Sequence, residues 1–184
     1  QHVTALAALN SVLSPLILAA SSNRDIVALD ARTGKDSHIF KNTHAKFVHC
    51  VATPEPSAAT AVLPQSHFDV FATAATDGVV TIWDLRMARC AKRMSAHVNR
   101  RERIGIAFSP CLRYLAAGSE DNCAFIYDLR SARPAARLKG HSDVVSCVAW
   151  NPLFPQFVSA SYDGHLRFYT SASENETSPS IIRG

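Results

Sequence analysis

One hairpin pattern recurs along the chain and constrains its fold more than any other feature. It is clearest over residues 71–86, which read FATAATDGVVTIWDLR. A run of small apolar residues leads to Asp77 and Gly78, and a β-branched and aromatic run then ends at Trp83 and Asp84. Asp-Gly between two such runs is a strong hairpin signal, because glycine tolerates positive φ and aspartate can hydrogen-bond to its own backbone. The second run suits a packed strand.

The pattern returns at 115–128 and 157–169, and in a weaker form at 16–30. In the three clear copies an aromatic residue follows the turn aspartate six positions later. A histidine precedes each of the four units, and successive histidines are 42, 53 and 44 residues apart. A period near 40 to 45 residues with a histidine start and a Trp-Asp end is typical of the blades of a β-propeller. The four histidines are His2, His44, His97 and His141.

On these residues the chain resembles the WD-repeat family, whose repeats build four-stranded antiparallel propeller blades. The resemblance covers about residues 2–170. It implies an all-β fold with four blades in this chain, which is half of a seven- or eight-bladed ring. The polar stretch 171–184 is a tail that could supply the outer strand of the last blade. The predicted blades span about 2–40, 44–95, 97–139 and 141–170.

The resemblance also implies a buried polar tetrad in each complete repeat. Its members are the histidine, a Ser or Thr four residues before the turn aspartate, the aspartate, and the aromatic residue. A buried aspartate needs donors, and a histidine can serve both it and a hydroxyl. The third repeat has Ala117 at the hydroxyl position, which predicts a weaker network, and the first has only His2 and Asn23. The predicted members are His44, Thr73, Asp77 and Trp83; His97, Asp121 and Tyr127; and His141, Ser159, Asp163 and Tyr169.

His141, Ser159 and Asp163 are also the residue types of a serine-hydrolase triad. Catalysis would need an exposed nucleophile and an oxyanion hole, and no G-x-S-x-G motif is present. We therefore expect no catalytic residue. The five cysteines are odd in number and show no CxxC spacing, so we expect neither disulfides nor a metal or cofactor. This cysteine usage favours a reducing, intracellular location, and we expect the cytoplasm.

An Asp-Leu-Arg element follows the aromatic strand in two successive repeats. In proteins similar to this one, Trp-Asp-x-Arg in consecutive blades marks adaptors that recruit substrates to a cullin-4 ubiquitin ligase. The alternative is that each aspartate caps the following turn while the arginine pairs locally, and Tyr127 already interrupts the motif. The candidate adaptor contacts are Asp84, Arg86, Asp128 and Arg130.

A basic run, Asn99-Arg100-Arg101-Glu102-Arg103, is the third candidate site. It precedes the first strand of a blade, on the face that carries the turn aspartates, and this face commonly binds peptides in the family. Arginine and tyrosine are favoured at binding hot spots, although a solvated charged loop is the alternative. The candidate partner-binding residues are Arg100, Arg101, Arg103, Glu120 and Tyr162.

The net charge of +4, from 19 basic and 15 acidic residues, is too small to indicate nucleic acid as a partner. The apolar stretch 3–20 is interrupted by polar residues and proline, so we expect no membrane segment. Residues 53–67 are a proline-rich insertion, either a tolerated surface loop or a docking loop. The start at Gln1 suggests a fragment of a longer protein.

Four blades leave two blade faces open at the ends of an arc, and large apolar patches rarely stay exposed. Missing blades in a longer chain, a head-to-tail dimer that closes an eight-bladed ring, or closure of the four blades alone would each resolve this. For the isolated chain we expect self-association. The predicted function is a non-catalytic protein-interaction scaffold. A cullin-4 adaptor is the first alternative, and a nucleic-acid-binding propeller that uses the basic run is a weaker one.

Overall fold

The polypeptide folds into four antiparallel four-stranded sheets that follow one another along the chain. The computed structural model describes residues 2–9, 15–55, 69–170 and, for the backbone alone, 181–183. Blade 1 contains β1 (Val3–Ala8), β2 (Leu16–Ser21), β3 (Ile26–Asp30) and β4 (Lys35–Phe40). Blade 2 contains β5 (Val48–Ala52), β6 (Val70–Ala75), β7 (Val79–Asp84) and β8 (Arg89–Met94). Blade 3 contains β9 (Ile106–Phe108), β10 (Tyr114–Ala117), β11 (Ala124–Asp128) and β12 (Arg133–Leu138). Blade 4 contains β13 (Val145–Trp150), β14 (Gln156–Ser161), β15 (His165–Thr170) and β16 (Ile181–Arg183).

Each sheet is a meander in which sequence neighbours pair, so the predicted all-β fold with four blades is confirmed. The sheets lie within the repeat bounds expected from the sequence, except that β16 comes from the predicted tail. Residues 56–68, which hold most of the predicted insertion, and residues 171–180 of the tail lie outside the described residues. The described residues contain no helix that could cross a membrane.

The burial pattern shows why the middle strands read as continuous apolar runs. In β6 and β7 nearly every side chain is buried, because a blade packs against neighbours on both faces. In the outer strand β8 exposed and half-buried residues alternate instead, since only one side is covered. Three core clusters fill the spaces between blades. They are centred on Phe40, Phe71 and Trp83; on Ile82, Met94 and Leu115; and on Val145, Val148 and Phe157.

The inner strands β1, β5, β9 and β13 lie side by side in that order. Blade 3 and blade 4 approach so closely that a Cβ at Gly118 would overlap the carbonyl oxygen of Val145. Exposed apolar side chains occur at both ends of the arc, on the faces turned away from the neighbouring blade. They are Val3, Leu6 and Ile39 on blade 1, and Leu166 and Phe168 on blade 4.

A meander places alternate turns at opposite edges, so the arc has two distinct faces. We call upper face the one that carries the turns after β2, β6, β10 and β14 and the links between blades. Backbone hydrogen bonds tie these together, as in Thr43 N to Arg24 O (3.0 Å) and Glu120 N to Val98 O (2.8 Å). We call lower face the opposite one, which carries the described turns after β3, β7, β9, β11 and β13.

Candidate functional site

The predicted tetrad of blade 2 is assembled in full beneath the upper face. His44 Nδ1 lies 3.1 Å from Asp77 Oδ2, and its Nε2 lies 2.8 Å from Thr73 Oγ1. Trp83 Nε1 donates to the same Thr73 oxygen at 2.9 Å. These residues come from the link before β5, from β6, from the hairpin turn and from β7, so the network joins the entry to the blade to its two middle strands.

The direction of each hydrogen bond in blade 2 follows from the chemistry of the groups. An indole N–H only donates and a carboxylate only accepts. Trp83 therefore donates to the Thr73 oxygen, the Thr73 hydroxyl donates to His44 Nε2, and His44 Nδ1–H donates to the carboxylate. Every polar side-chain atom of this blade 2 network has a partner, which is the condition for a stabilising buried network.

The turn aspartate of blade 2 is held as an anion. Burial alone would raise the pKa of Asp77, but hydrogen bonds from His44 and from the backbone N–H groups of Ala45 and Val79 outweigh it and lower the pKa. Asp163 in blade 4 follows the same rule. Burial opposes its ionisation, while Ser142 N–H and His141 lower its pKa far below the usual range.

Blade 4 repeats the histidine part of this network but not the aromatic part. His141 Nδ1 lies 3.0 Å from Asp163 Oδ2, and His141 Nε2 lies 2.8 Å from Ser159 Oγ. The expected hydrogen bond from Tyr169 is absent, because its buried hydroxyl has no partner among the described residues. The ring of Tyr169 is tilted by 41° from that of Phe157, whereas Trp83 is tilted by only 19° from Phe71.

The polar network of blade 3 differs from the expected tetrad. His97 Nδ1 lies 2.9 Å from Tyr127 Oη, which also accepts the backbone N–H of His97 at 2.9 Å. No hydrogen bond joins His97 to Asp121, and Asp121 instead pairs with Arg137 Nη2 of the outer strand at 2.7 Å. The physical reason is Ala117, which offers no hydroxyl to His97 Nε2, and that nitrogen stays buried without a partner in the described part of the chain.

The structure also contains a buried histidine that the sequence analysis missed. His49, in β5, places Nε2 3.2 Å from both the backbone N and the backbone O of Ile104, at the start of blade 3. Burial lowers the pKa of His49 to about 4, and burial does the same for His97. Both side chains are therefore neutral at physiological pH. A lone histidine in an alternating strand gives no sequence signal for such a role.

The basic loop of the upper face, residues 99–103, is held by one carboxylate. Glu120 Oε1 accepts the backbone N–H groups of Arg100 (2.7 Å), Arg101 (2.6 Å) and Glu102 (2.8 Å). Burial opposes ionisation of Glu120, but these three donors lower its pKa. Three successive N–H groups that converge on one oxygen form an anion-binding nest. Glu120 therefore fills the nest and orders the loop.

The other predicted partner-binding residues surround this loop at the surface. The side chains of Arg100, Arg101 and Arg103 are exposed. Tyr162, which is 55% exposed, places its hydroxyl 3.4 Å from Glu102 Oε2. Lys46 Nζ lies 3.3 Å from the carbonyl oxygen of Arg100 and ties the loop to blade 2. The structure thus brings all five predicted residues to one part of the upper face.

The Asp-Leu-Arg elements lie on the lower face, at the turns between β7 and β8 and between β11 and β12. Asp84 Oδ1 accepts the backbone N–H of Arg86 at 2.9 Å, and Asp128 Oδ1 accepts that of Arg130 at 2.7 Å. The aspartates therefore cap their turns, as one of the two interpretations predicted. Arg86 is 60% exposed and lies 3.9 Å from Asp69 and from Asp84, so the pairing is weak.

With this geometry in place, the chain can be compared with known proteins. A model of the family "Nucleolar protein 10-like, N-terminal domain", a β-propeller domain, matches residues 10–178. The chain belongs to this family. The family is a WD-repeat propeller family, as the resemblance of the sequence implied. Within the described residues no cluster of histidine, cysteine or carboxylate side chains could hold a metal ion.

Two solved WD-repeat structures are similar to this member of the family. One is the structure of U3-55K, with a TM-score of 0.78, 19% identity and 98% of this chain covered. The other is the crystal structure of the RRP9 WD40 repeats, with a TM-score of 0.78, 19% identity and 99% covered. At this identity the likeness shows the fold alone. The chain spans about half the length of these proteins, 51% in each case.

Proposed function

We propose that this propeller segment is a non-catalytic interaction scaffold that binds an acidic peptide segment of a partner protein on its upper face. The observation that carries the proposal is the basic loop ordered by Glu120. Its three arginines are exposed, and none of them forms an ion pair among the described residues. Preorganised cations of this kind suit carboxylates, because arginine binds them in a planar, bidentate geometry.

The surroundings of the loop support a peptide more than a small molecule. Tyr162 offers a large exposed ring beside the arginines, and aromatic and arginine side chains are the common hot spots of protein interfaces. The loop links blade 2 to blade 3 and is tied to Lys46, so the surface extends across two blades. Loops on a rigid scaffold are where binding residues concentrate.

The buried position of the hydroxyls supports a non-catalytic role. Ser159, His141 and Asp163 have the mutual distances of a hydrolytic triad, yet Ser159 is 0% exposed. Thr73 in the matching network of blade 2 is 0% exposed too. A nucleophile without access to substrate cannot attack it. The two networks are therefore interpreted as structural.

The family match changes the expected location. Its name assigns its namesake to the nucleolus, so we propose a nuclear or nucleolar location for this chain in place of the cytoplasm expected from cysteine usage. Residues 96–130 also resemble the C-terminal repeats of WD repeat-containing protein 27, and this finer resemblance is a prediction that the family match does not test.

The test is binding of a short fluorescein-labelled polyglutamate peptide, followed by anisotropy. We expect binding by the wild-type chain and loss of affinity by about tenfold or more when Arg100, Arg101 and Arg103 are all changed to glutamine. The matched control removes the same charge from the lower face through Arg32→Gln, Arg86→Gln and Arg130→Gln. Equal losses in the two triple variants would show that only net charge matters and would reject the upper-face site.

The cullin-4 adaptor hypothesis remains as a second candidate, because Arg86 and Arg130 are exposed at equivalent turns of consecutive blades. Binding to the cullin-4 adaptor protein that is lost on Arg86→Ala together with Arg130→Ala would support it. Retained binding, or no binding by the wild-type chain, would reject it.

We further propose that the isolated chain self-associates through its open blade faces, since exposed apolar side chains lie at both ends of the arc. Head-to-tail association of two arcs would give a closed ring of eight blades. Light scattering should then give twice the chain mass of 20.0 kDa. A monomer whose mass is independent of concentration would reject self-association, while additional blades from a longer polypeptide would remain the way to cover these faces.

A further inference from the structure

The lower face carries a charge pattern that repeats in three consecutive blades. At the turn between the third and fourth strands, an aspartate is followed by an arginine two positions later and by a lysine or arginine five positions later. Only two of these turns stand out in the sequence, because blade 1 has Leu29 where blades 2 and 3 have an aromatic residue. The three sets are Asp30, Arg32 and Lys35; Asp84, Arg86 and Arg89; and Asp128, Arg130 and Arg133.

The three turns share one backbone conformation. In each, Oδ1 of the aspartate accepts the N–H of the arginine two residues later and that of the next residue. In blade 1 these distances are 2.7 and 3.3 Å, in blade 2 they are 2.9 and 3.1 Å, and in blade 3 they are 2.7 and 3.4 Å. The same carboxylate thus fixes every tip, and the turns place their basic side chains at equivalent positions.

Strand register places the second cation of each set next to the aspartate. Lys35 pairs with Asp30, Arg89 with Asp84, and Arg133 with Asp128 across the antiparallel ladder. Each tip therefore presents two cations to solvent on a rigid hairpin. All six basic residues are exposed. Because six cations accompany three aspartates, the tips carry an excess of three positive charges.

Few of these cations are neutralised within the chain. Among the described residues, Arg86 is the only one of the six in an ion pair, and its two carboxylate distances of 3.9 Å are long. Lys92 adds a seventh positive charge from blade 2. Its Nζ donates to the carbonyl oxygen of Leu129 at 2.7 Å and also to that of Arg130, and this links the tips of blades 2 and 3.

We propose that these three tips form a nucleic-acid-binding rim that contacts the phosphate backbone, one contact region per blade. Phosphate contacts are made by exposed cations and require no base-specific groups. A protein partner would instead require an apolar or aromatic anchor at the centre of its footprint. At these tips Met87 is the one large apolar side chain that is exposed, and none of the nine tip residues in the three sets is aromatic.

The net charge of +4 made nucleic acid an unexpected partner, but net charge does not describe where the charges lie. The fold gathers like charges from positions 32 to 133 at one edge of the arc. A charged stripe of this kind acts on a polyanion locally, within the Debye length of about 8 Å at physiological salt. The rim lies on the face opposite the basic loop, so it is independent of the proposed peptide site.

The test is anisotropy with a short fluorescein-labelled RNA duplex of mixed sequence, titrated at several salt concentrations. The triple variant Arg32→Gln, Arg86→Gln and Arg130→Gln should bind about tenfold more weakly, and the salt slope of log K should fall by about one for each contacting arginine. The opposite-face variant with Arg100, Arg101 and Arg103 changed to glutamine removes the same charge and should bind within about twofold of wild type.

Three outcomes would overturn the proposal: no binding by the wild-type chain, equal weakening by the two triple variants, or a salt slope unchanged by the lower-face variant. Displacement of the duplex by polyglutamate at equal charge concentration would assign the rim to an acidic protein instead. Thermal melting of both variants at the wild-type midpoint is the folding control, since all six substitutions are at exposed positions.

Discussion

Blade 2 and blade 3 are neighbours with the same strand order, yet their polar interiors are organised differently. In blade 2 the histidine joins the turn aspartate to a buried hydroxyl, with distances of 3.1 and 2.8 Å. In blade 3 the histidine contacts Tyr127 instead, and Asp121 pairs through Oδ2 with Arg137. The decisive sequence difference is one oxygen atom, that of Thr73, which Ala117 lacks.

The comparison shows that a repeat can keep its fold while it changes the partners of its polar residues. Without the hydroxyl, His97 Nε2 has no hydrogen-bond partner among the described residues. The hydroxyl of Tyr127 instead contacts Nδ1 and the backbone N–H of His97. Burial then raises the pKa of Tyr127 to about 12 and lowers that of His97 to about 4. The histidine of blade 3 is thus held by a neutral phenol, and that of blade 2 by a half-buried carboxylate.

The largest expected effect is the loss of the blade 2 aspartate. Asp77→Ala should lower the free energy of unfolding by about 3 kcal/mol, because it leaves the buried His44 and the backbone N–H groups of Ala45 and Val79 without their acceptor. Asp121→Ala is the matched control. It should cost at most about 1 kcal/mol, since Asp121 pairs with a half-exposed arginine. Urea denaturation measures both, and similar losses would mean that the two blades do not differ.

Acid should destabilise the junction of blades 2 and 3 before it reaches the aspartates. The pKa values of His49 and His97 are about 4, against 6.5 in the unfolded chain. Below pH 6.5 these two histidines bind protons in the unfolded state but remain neutral in the folded state. The free energy of unfolding therefore falls as the pH drops from about 6.5 to about 4. Each histidine contributes on the order of 2 to 3 kcal/mol to this loss. The carboxylate of Asp77, whose pKa is lowered, adds its own loss only below about pH 3.9.

The urea midpoint measured across this range tests the expectation. The variants His49→Gln and His97→Gln should each make the curve flatter between pH 6.5 and 4. A midpoint that stays constant over this interval in the wild-type chain would show that the two histidines are not buried in the neutral form.

A smaller effect on stability should distinguish removal of the Tyr127 hydroxyl from removal of the Tyr169 hydroxyl. Tyr127→Phe should cost about 1 to 2 kcal/mol, because it removes the partner of His97 Nδ1 and of the His97 backbone N–H. Tyr169→Phe makes the same chemical change in blade 4, where the hydroxyl has no partner in the described part of the chain. It should change stability by less than about 0.5 kcal/mol. Thermal melting compares the pair, and a loss for Tyr169→Phe as large as that for Tyr127→Phe would place its hydroxyl in a hydrogen bond.

The repeat spacing was enough to predict the blades and the residues of the blade 2 network. Thr73 and Trp83 lie at fixed positions on the paired strands β6 and β7, so their contact follows from strand register and needs no long-range information. The empty hydroxyl position at Ala117 also predicted that the third network would be weaker. The local pattern therefore predicted the contacts of the histidine with the hydroxyl and the aspartate in blades 2 and 4. It did not predict the aromatic contact in blade 4, where the Tyr169 hydroxyl has no partner among the described residues.

Other contacts could not be read from the pattern, because their partners vary from blade to blade. Arg137 reaches Asp121 from the outer strand, where exposed basic residues are common and carry no positional signal. Glu120 resembled a partner-binding residue in the sequence, but it points into the nest formed by Arg100 and its neighbours. His49 lies in an inner strand, and its contact with Ile104 depends on how two blades pack.

The most direct test of the difference between the blades is a pair of double-mutant cycles, one for His44 with Asp77 and one for His97 with Asp121. Each cycle isolates the coupling of two side chains from other effects of substitution. The structure predicts a coupling of about 1.5 to 3 kcal/mol for the blade 2 pair and a value near zero, within about 0.5 kcal/mol, for the blade 3 pair. Equal couplings in the two blades would contradict this account, since His97 and Asp121 would then have to interact as His44 and Asp77 do.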